Sequence, residues 1–229
     1  MALVIGIDDA GRGPLIGPMI LAGVLLDENS EAGLKKLGVR DSKQVLHPKR
    51  VELAKIIKET VLSYHITKTF PEQIDKMISE GTNLNTIEAI KTAEIINELN
   101  DEKQKGKIKV IIDCPSVNTK AWLGTLKKYI KNISNLILAC EHKADVNYVA
   151  VSAASIIAKV AREEEVSKLR EQYKEYGNIG SGYPADPLTK EFLKKQGKQL
   201  ENSGLFRKSW KTWKRLYPES KKQSTLSAF

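Results

Sequence analysis

The residues best suited to chemistry stand together at Asp8-Asp9-Ala10-Gly11-Arg12-Gly13-Pro14, where the apolar run Leu3, Val4, Ile5 and Ile7 gives way to two carboxylates and a glycine-flanked arginine. The run reads as a short buried strand. The residues after it join hard oxygen ligands to backbone free enough to approach a ligand closely. Taken alone, an Asp-Asp pair is a solvated turn, but two more acids follow later strands: Asp113 closes the apolar run 108–112, and Asp145 stands shortly after the run 136–140. If those strands align, the four carboxylates converge. Clustered anions repel one another without a counter-ion, and an oxygen-only set of this kind is what Mg²⁺ or Mn²⁺ takes. Two such cations about 4 Å apart activate a water, stabilise a leaving oxygen and clamp a phosphodiester for in-line displacement. Neighbouring strand residues face opposite sides, so Asp9 reaches the site of Asp8 only if the strand has begun to turn. Asp8 is the firmer ligand of the two.

Other chemistries find less support. The histidines, His47, His65 and His142, are scattered, and Cys114 and Cys140 lack metal-ligand spacing, which excludes a zinc site. The two cysteines read as free thiols, with a disulfide open only if their strands are neighbours. Gly11, Gly13 and Gly17 do not fit the G-x-G-x-x-G dinucleotide pattern, and no phosphate-binding P-loop occurs. With 229 residues, 41% of them hydrophobic and 28% charged, the chain is sized for one good core. No apolar run approaches the roughly 18 residues of a membrane span, and the N-terminus enters a strand with no basic region or cleavage site. The expectation is a cytoplasmic monomer. Its net charge of +9 is concentrated at one end, since residues 190–229 hold eleven Lys/Arg against Glu191, Glu201 and Glu219. That end also carries Trp210, Trp213 and Tyr217, whose rings either stack on nucleic acid or dock on the body while the basic residues meet phosphates.

The elements that must position these groups can be read from periodicity. Residues 17–26 form a second strand and 63–70 a third, so the sheet begins antiparallel. A helix opens at Pro48 and runs to about residue 61, another starts at Pro71, and 86–99 is amphipathic. The order strand 108–112, helix 120–130, strand 136–140 predicts a parallel pair with a right-handed crossover. One long helix is expected over 146–176, lying on the sheet through Val151, Ala154, Ile157, Ala158 and Val160, with a charged half projecting into solvent. A Gly/Pro-rich loop at 177–187 leads to short helices near Leu188 and Leu205 and a polar tail at Pro218. The architecture predicted is α/β: a mixed five-stranded sheet flanked by helices, with a small helical C-terminal appendage.

Several separated motifs, GIDDAGRGP at 6–14, DSK at 41–43, EHKAD at 141–145, SAASIIAK at 152–159 and GSGYPADP at 180–187, together resemble type 2 ribonuclease H in its archaeal branch, over about residues 2–217. The resemblance implies an RNase H-like catalytic domain at 1–187, a helical segment at 188–217 and a tail at 218–229. It implies hydrolysis of the RNA strand of RNA/DNA hybrids, cutting at ribonucleotides embedded in duplex DNA, and dependence on Mg²⁺ or Mn²⁺. The family's metal-binding acids fall on Asp8, Asp9, Asp113 and Asp145. Its Gly-Arg-Gly signature falls on Gly11, Arg12 and Gly13, which by resemblance sense the ribose 2′-hydroxyl through backbone groups. Tyr183 matches the tyrosine whose ring packs on the deoxyribose next to the ribonucleotide, while Ser42, Lys43 and Lys143 correspond to phosphate contacts. The family usually has Glu where this chain has Asp9, one methylene shorter.

The chain ends Gln223-Ser224-Thr225-Leu226-Ser227-Ala228-Phe229, which resembles the Q-x-x-L-x-x-aromatic peptide that docks on sliding clamps, with Gln223, Leu226 and Phe229 as its anchors and the usual second aromatic missing. Two rivals frame the reading. Another RNase H-like nuclease, such as a junction resolvase or transposase, shares the acids but has no use for the Gly-Arg-Gly and Tyr183 devices. A binding module keeps the basic end and lacks catalysis, so metal neither stabilises it nor elicits cleavage.

Overall fold

The computed structural model describes residues 2–39, 46–100 and 106–218. Ser42 and Lys43, and the clamp-like anchors Gln223, Leu226 and Phe229, lie outside the described residues.

Strand β1 (Leu3–Ala10) sits at the centre of a five-stranded sheet of order β3-β2-β1-β4-β5. It pairs antiparallel with β2 (Met19–Leu26), which pairs antiparallel with β3 (Ser63–Thr69). On its other side β1 runs parallel to β4 (Ile108–Asp113), and β4 parallel to β5 (Leu136–Glu141). This is the mixed sheet the periodicity predicts. All eight residues of β2 are buried, as a strand covered by helices on both faces must be.

The alternation of β1 divides its side chains between two cores. Ile5 and Ile7 join Ile87, Ile95 and Ile96 of α4 (Leu84–Leu99) and Trp122 and Leu126 of α5 (Thr119–Lys127). Ala10 instead joins Ala150, Ala153 and Ile157 of α7 (Val149–Gln172), together with Leu34 of α1 (Glu28–Lys36) and Leu53 and Ile57 of α2 (His47–Thr60). Each fully buried Ile or Leu contributes about 1.5–3 kcal/mol by leaving water. Polar caps start the helices that matter for the site. Asn83 accepts from the Thr86 N–H at 3.0 Å to open α4, and Asp186 accepts from the Leu188 N–H at 3.0 Å to open α8 (Pro187–Gln196).

Four local expectations are corrected. The second strand begins at Met19 rather than residue 17, because Gly17 takes φ +84° in the turn before it. The expected helix 146–176 is broken at Tyr148, whose extended backbone separates the single turn α6 (Ala144–Asn147) from α7. No proline or glycine marks that break. It is imposed by the ends of β4 and β5, where the Ala144 N–H donates to Asp113 Oδ1 at 2.9 Å and the Tyr148 hydroxyl lies 3.1 Å from both Glu141 oxygens. The second half of α7 is not wholly in solvent either, since Arg162 and Val166 are buried. Finally, the segment near Leu205 is not a helix: Phe206 forms an isolated antiparallel bridge with Ile16, and the last helix is α9 (Lys211–Leu216).

A third core ties this C-terminal chain to the body, with Leu15, Ile16, Tyr173 and Ile179 packed against Phe192, Leu193, Phe206 and Trp213. Trp213 is buried, with ring centroids 5.0 Å from Phe206 and 4.7 Å from Tyr217. Of the two roles open to the Trp pair, docking is the one Trp213 takes.

Candidate active site

Asp8 and Asp9 lie within β1 rather than beyond it, opposite Ala22 and Leu21 of β2. On the β4 side the pairing stops at Ile7–Ile112, so both acids stand where β1 and β4 have parted. Asp8 lies on the α7 face beside Ser155, whose hydroxyl opposes the rise of its carboxyl, and Oδ1 accepts the Asp9 N–H at 2.8 Å. Asp9 lies on the α4 face beside Glu88 and Arg12. The two nevertheless border one crevice with Asp113, Glu88 and Trp122, and Asp113 repels both. Asp145, buried in α6, follows Ala144, the residue held by Asp113. Among the described residues no three His, Cys, Asp or Glu side chains stand close enough together to hold an ion between them as they are.

The electrostatics suit a hard divalent cation. Burial, and then the Asp9 charge, push the Asp8 carboxyl up to about 8. Burial and Glu88 push Asp9 up to about 7, opposed by Arg12. Burial pushes Glu88 up to about 7, again opposed by Arg12. Three oxygen acids that hold protons so tightly near neutrality are undercompensated, and a cation relieves them. A carboxyl raised above its unfolded value stabilises the fold while protonated, and that contribution is lost as pH rises through the folded value. The metal-free protein should therefore lose thermal stability between about pH 5 and about pH 9. Mg²⁺ or Mn²⁺ should restore it most at the alkaline end. Unfolding curves in chelator and in metal check both; a metal-free stability that rises across this window refutes the assignment.

The Gly11-Arg12-Gly13 turn is held from three sides. Gly11, at φ +85°, would place a Cβ only 2.5 Å from Arg162 Cδ, so no larger residue fits there. Arg12 sends its guanidinium to α4, with Nη2 donating to Asn85 Oδ1 at 2.6 Å and Nε 2.7 Å from Glu88 Oε1. Asn85 is itself fixed, its carbonyl accepting from Trp122 Nε1 at 3.0 Å. From the C-terminal segment, Arg207 and Trp210 bond the carbonyls of the turn. Tyr183 is 43% exposed and stands over Gly13, where a Cβ would lie 3.6 Å from its Cε1, while the Arg162 guanidinium sits 5.3 Å from its ring centroid. Tyr183 and the turn, 170 positions apart in sequence, thus form one surface. Lys143, exposed at the start of α6, has φ 58°, a left-handed conformation that costs a non-glycine residue about 1 kcal/mol.

Sequence reasoning missed Asn85, Glu88, Ser155, Arg162 and Arg207. Ser155 and Lys159 had a signal, the i,i+4 spacing on a helix otherwise apolar there, and Lys159 offsets the charge of Asp9. Glu88 and Arg207 had none beyond their residue type. Cys114, the residue after β4, and Cys140 of the neighbouring β5 are free thiols. Burial and contact with Cys114 push the Cys140 thiol up.

A family model described as Ribonuclease HII matches residues 5–213. The chain belongs to the ribonuclease HII family. A Ribonuclease HII from Thermococcus sibiricus is 40% identical over 226 residues, covering 97% of this chain and 94% of the relative. The crystal structure of ribonuclease H2 from Pyrococcus horikoshii superposes with a TM-score of 0.81 at 36% identity, covering 93% of this chain and 96% of that one. A structure of the PCNA:RNase HII complex from Archaeoglobus fulgidus matches with a TM-score of 0.78 at 37% identity, covering 91% and 95%. The fold is the RNase H-like one. As a ribonuclease HII, the protein is a divalent-metal-dependent hydrolase that cleaves RNA in RNA/DNA hybrids endonucleolytically. No helix among the described residues is long and apolar enough to cross a membrane.

Proposed function

We propose that this ribonuclease HII also cuts at single ribonucleotides embedded in duplex DNA, leaving 5′-phosphate and 3′-hydroxyl ends. The observation that carries the reading is the surface shared by the Gly11-Arg12-Gly13 turn and Tyr183, beside the crevice of Asp8, Asp9 and Asp113. Backbone at an exposed glycine approaches a ribose closely enough to recognise its 2′-hydroxyl. The Tyr183 ring, backed by Arg162, packs on the neighbouring sugar, where a 2′-hydroxyl would crowd it. Lys143, Ser42 and Lys43 contact phosphates of the substrate.

Asp8, Asp9, Asp113 and Asp145 hold the ions. When bound, two Mg²⁺ or Mn²⁺ ions activate the attacking water and stabilise the leaving 3′-oxygen. Asp8 and Asp113 supply charge, and the Ala144 N–H, from the residue before Asp145, fixes the Asp113 carboxylate. The Arg12 guanidinium, 2.7 Å from Glu88, opposes the repulsion that Glu88 exerts on Asp9. The deciding assay offers a DNA duplex with one ribonucleotide and an all-DNA control, in Mg²⁺ or Mn²⁺, and maps the cut. Cleavage of the first alone, on the 5′ side of the ribonucleotide, supports the reading. Cleavage of an all-DNA branched junction would instead favour a resolvase.

The shorter Asp9 predicts slower turnover and stronger dependence on Mn²⁺ than a glutamate would give. Asp9→Glu should raise the Mg²⁺-supported rate by about 2- to 10-fold, an effect of about 1 kcal/mol. An unchanged rate and metal preference reject that role for the missing methylene. The tail is proposed to dock on a sliding clamp through Gln223, Leu226 and Phe229, supported by the peptide pattern and by the Archaeoglobus fulgidus complex. Deleting residues 223–229 should abolish clamp binding in a pull-down or titration and leave hybrid cleavage unchanged. Undiminished binding refutes the assignment.

A further inference from the structure

We propose that Arg207 is a positioning residue for substrate recognition: it decides which edge of the Gly11-Arg12-Gly13 turn faces the nucleic acid. This rests on the reading of that turn as the sensor of the 2′-hydroxyl. Arg207 is fully buried, 0% exposed, an expensive place for a cation. Its hydrogen bonds go to backbone. Nη2 donates to Gly11 O at 2.7 Å, Nη1 to Arg12 O at 2.8 Å, and Nε and Nη2 to Gly17 O at 3.1 and 2.9 Å. One guanidinium therefore gathers carbonyls from both ends of the turn, and only a planar fork of several donors spans them.

The consequence follows from peptide geometry. In a planar trans peptide the C=O and N–H point in opposite directions, and none of the peptide bonds described is cis. Drawing the Gly11 and Arg12 carbonyls inward onto Arg207 turns the N–H groups of Arg12 and Gly13 outward. Trp210 completes the arrangement: its Nε1 accepts nothing and donates to Gly13 O at 3.1 Å, and its ring lies 4.9 Å from the Arg207 guanidinium. The turn thus presents donors, the groups suited to a hydroxyl oxygen, on the side away from Arg207.

Arg207 is itself held in place through its own backbone and through the two residues after it. Its N–H donates to Leu15 O at 2.9 Å. Asp75, on α3 (Pro71–Ser79), accepts the Lys208 N–H at 2.6 Å, the Ser209 N–H at 2.9 Å and the Ser209 hydroxyl. By this arrangement the C-terminal segment takes part in recognition without touching substrate.

The test measures binding of two duplexes, one with a single ribonucleotide and one all DNA, with Ca²⁺ as the divalent ion so that binding is read apart from turnover. Wild type should prefer the ribonucleotide duplex by about tenfold or more, the worth of one or two hydrogen bonds. Arg207→Met should lose that preference while binding the all-DNA duplex within about twofold of wild type, and Arg207→Lys should retain only part of it. If Arg207 serves only to fasten the C-terminal segment, its loss weakens both duplexes together or leaves the ratio intact, and either result overturns the proposal. A wild type with no preference defeats the reading of the turn itself, which is a separate failure. Should circular dichroism show Arg207→Met unfolded, Arg207→Lys and Asp75→Asn carry the test, and an undiminished ratio in both overturns the proposal.

Discussion

Asp8→Asn should lower the rate of hybrid cleavage by about 10³-fold or more and, in the same protein, raise the temperature of unfolding. Both effects come from one negative charge in a buried place. Asn keeps an acceptor for the Asp9 N–H, so shape and that hydrogen bond survive. What is lost is the charge that a divalent ion needs, together with the burial cost and the repulsion from Asp9 and Asp113 that push this carboxyl up to about 8. At alkaline pH without metal, where the wild-type group is forced to ionise, the gain should be largest, at about 2–4 °C per kcal/mol for a chain of this size. Asp113→Asn should abolish cleavage equally but gain less stability, because its carboxylate already receives the Ala144 N–H. Single-turnover cleavage and thermal unfolding, each with and without Mg²⁺, check the pair. Substantial activity in either variant removes that residue from the ion-binding set, and a lower unfolding temperature for Asp8→Asn refutes the account of its burial.

Gly6→Ala should be the most destructive small change in the chain, costing about 3 kcal/mol or more. A Cβ at Gly6 would lie 2.2 Å from the carbonyl carbon of Ala150 and 2.5 Å from Val151 N. These are backbone atoms of α7, which cannot step aside as a long side chain could. The same helix packs along β1 and β2 through Ala150, Ala153 and Ile157, so moving it opens the core. Function should fail with stability, since Gly6 lies two residues before Asp8 on the same strand. Gly124→Ala supplies the contrast: it is exposed on α5 with nothing within 4 Å of the added carbon, and should gain up to about 1 kcal/mol from helix propensity. Chemical denaturation of the two variants beside wild type measures the difference, and a Gly6→Ala protein as stable as wild type would falsify the close approach of α7 to β1.

Much of the mixed sheet was legible because its strands alternate or run continuously apolar, and because the strand-helix-strand order 108–140 leaves one handed solution. The acids were legible for a related reason. Asp8, Asp9, Asp113 and Asp145 stand where apolar runs end, and strand ends on one edge of a sheet are brought together by pairing alone. Where expectation and structure part, a long-range contact has overruled a local pattern. The apolar periodicity around Tyr148 continues without a breaker, yet the Asp113 to Ala144 bond and the Glu141 to Tyr148 bond interrupt the helix there. Residues near Leu205 suit a short helix, yet Phe206 bridges to Ile16.

The sequence by itself determined the family and the α/β sheet and singled out the four acids and the glycine-rich turn as the proposed site, because each is written in residues close together in the chain or in a period that local geometry imposes. The tertiary structure alone decided what surrounds them. Glu88 beside Asp9, Ser155 on Asp8, Arg162 beneath Tyr183 and Arg207 on the carbonyls of Gly11, Arg12 and Gly17 all join positions far apart in sequence. No periodicity reports such contacts. A buried charge or an orphan carbonyl acquires its partner only when the cores close and water leaves, and the low dielectric that results is what gives these few groups their hold on the site.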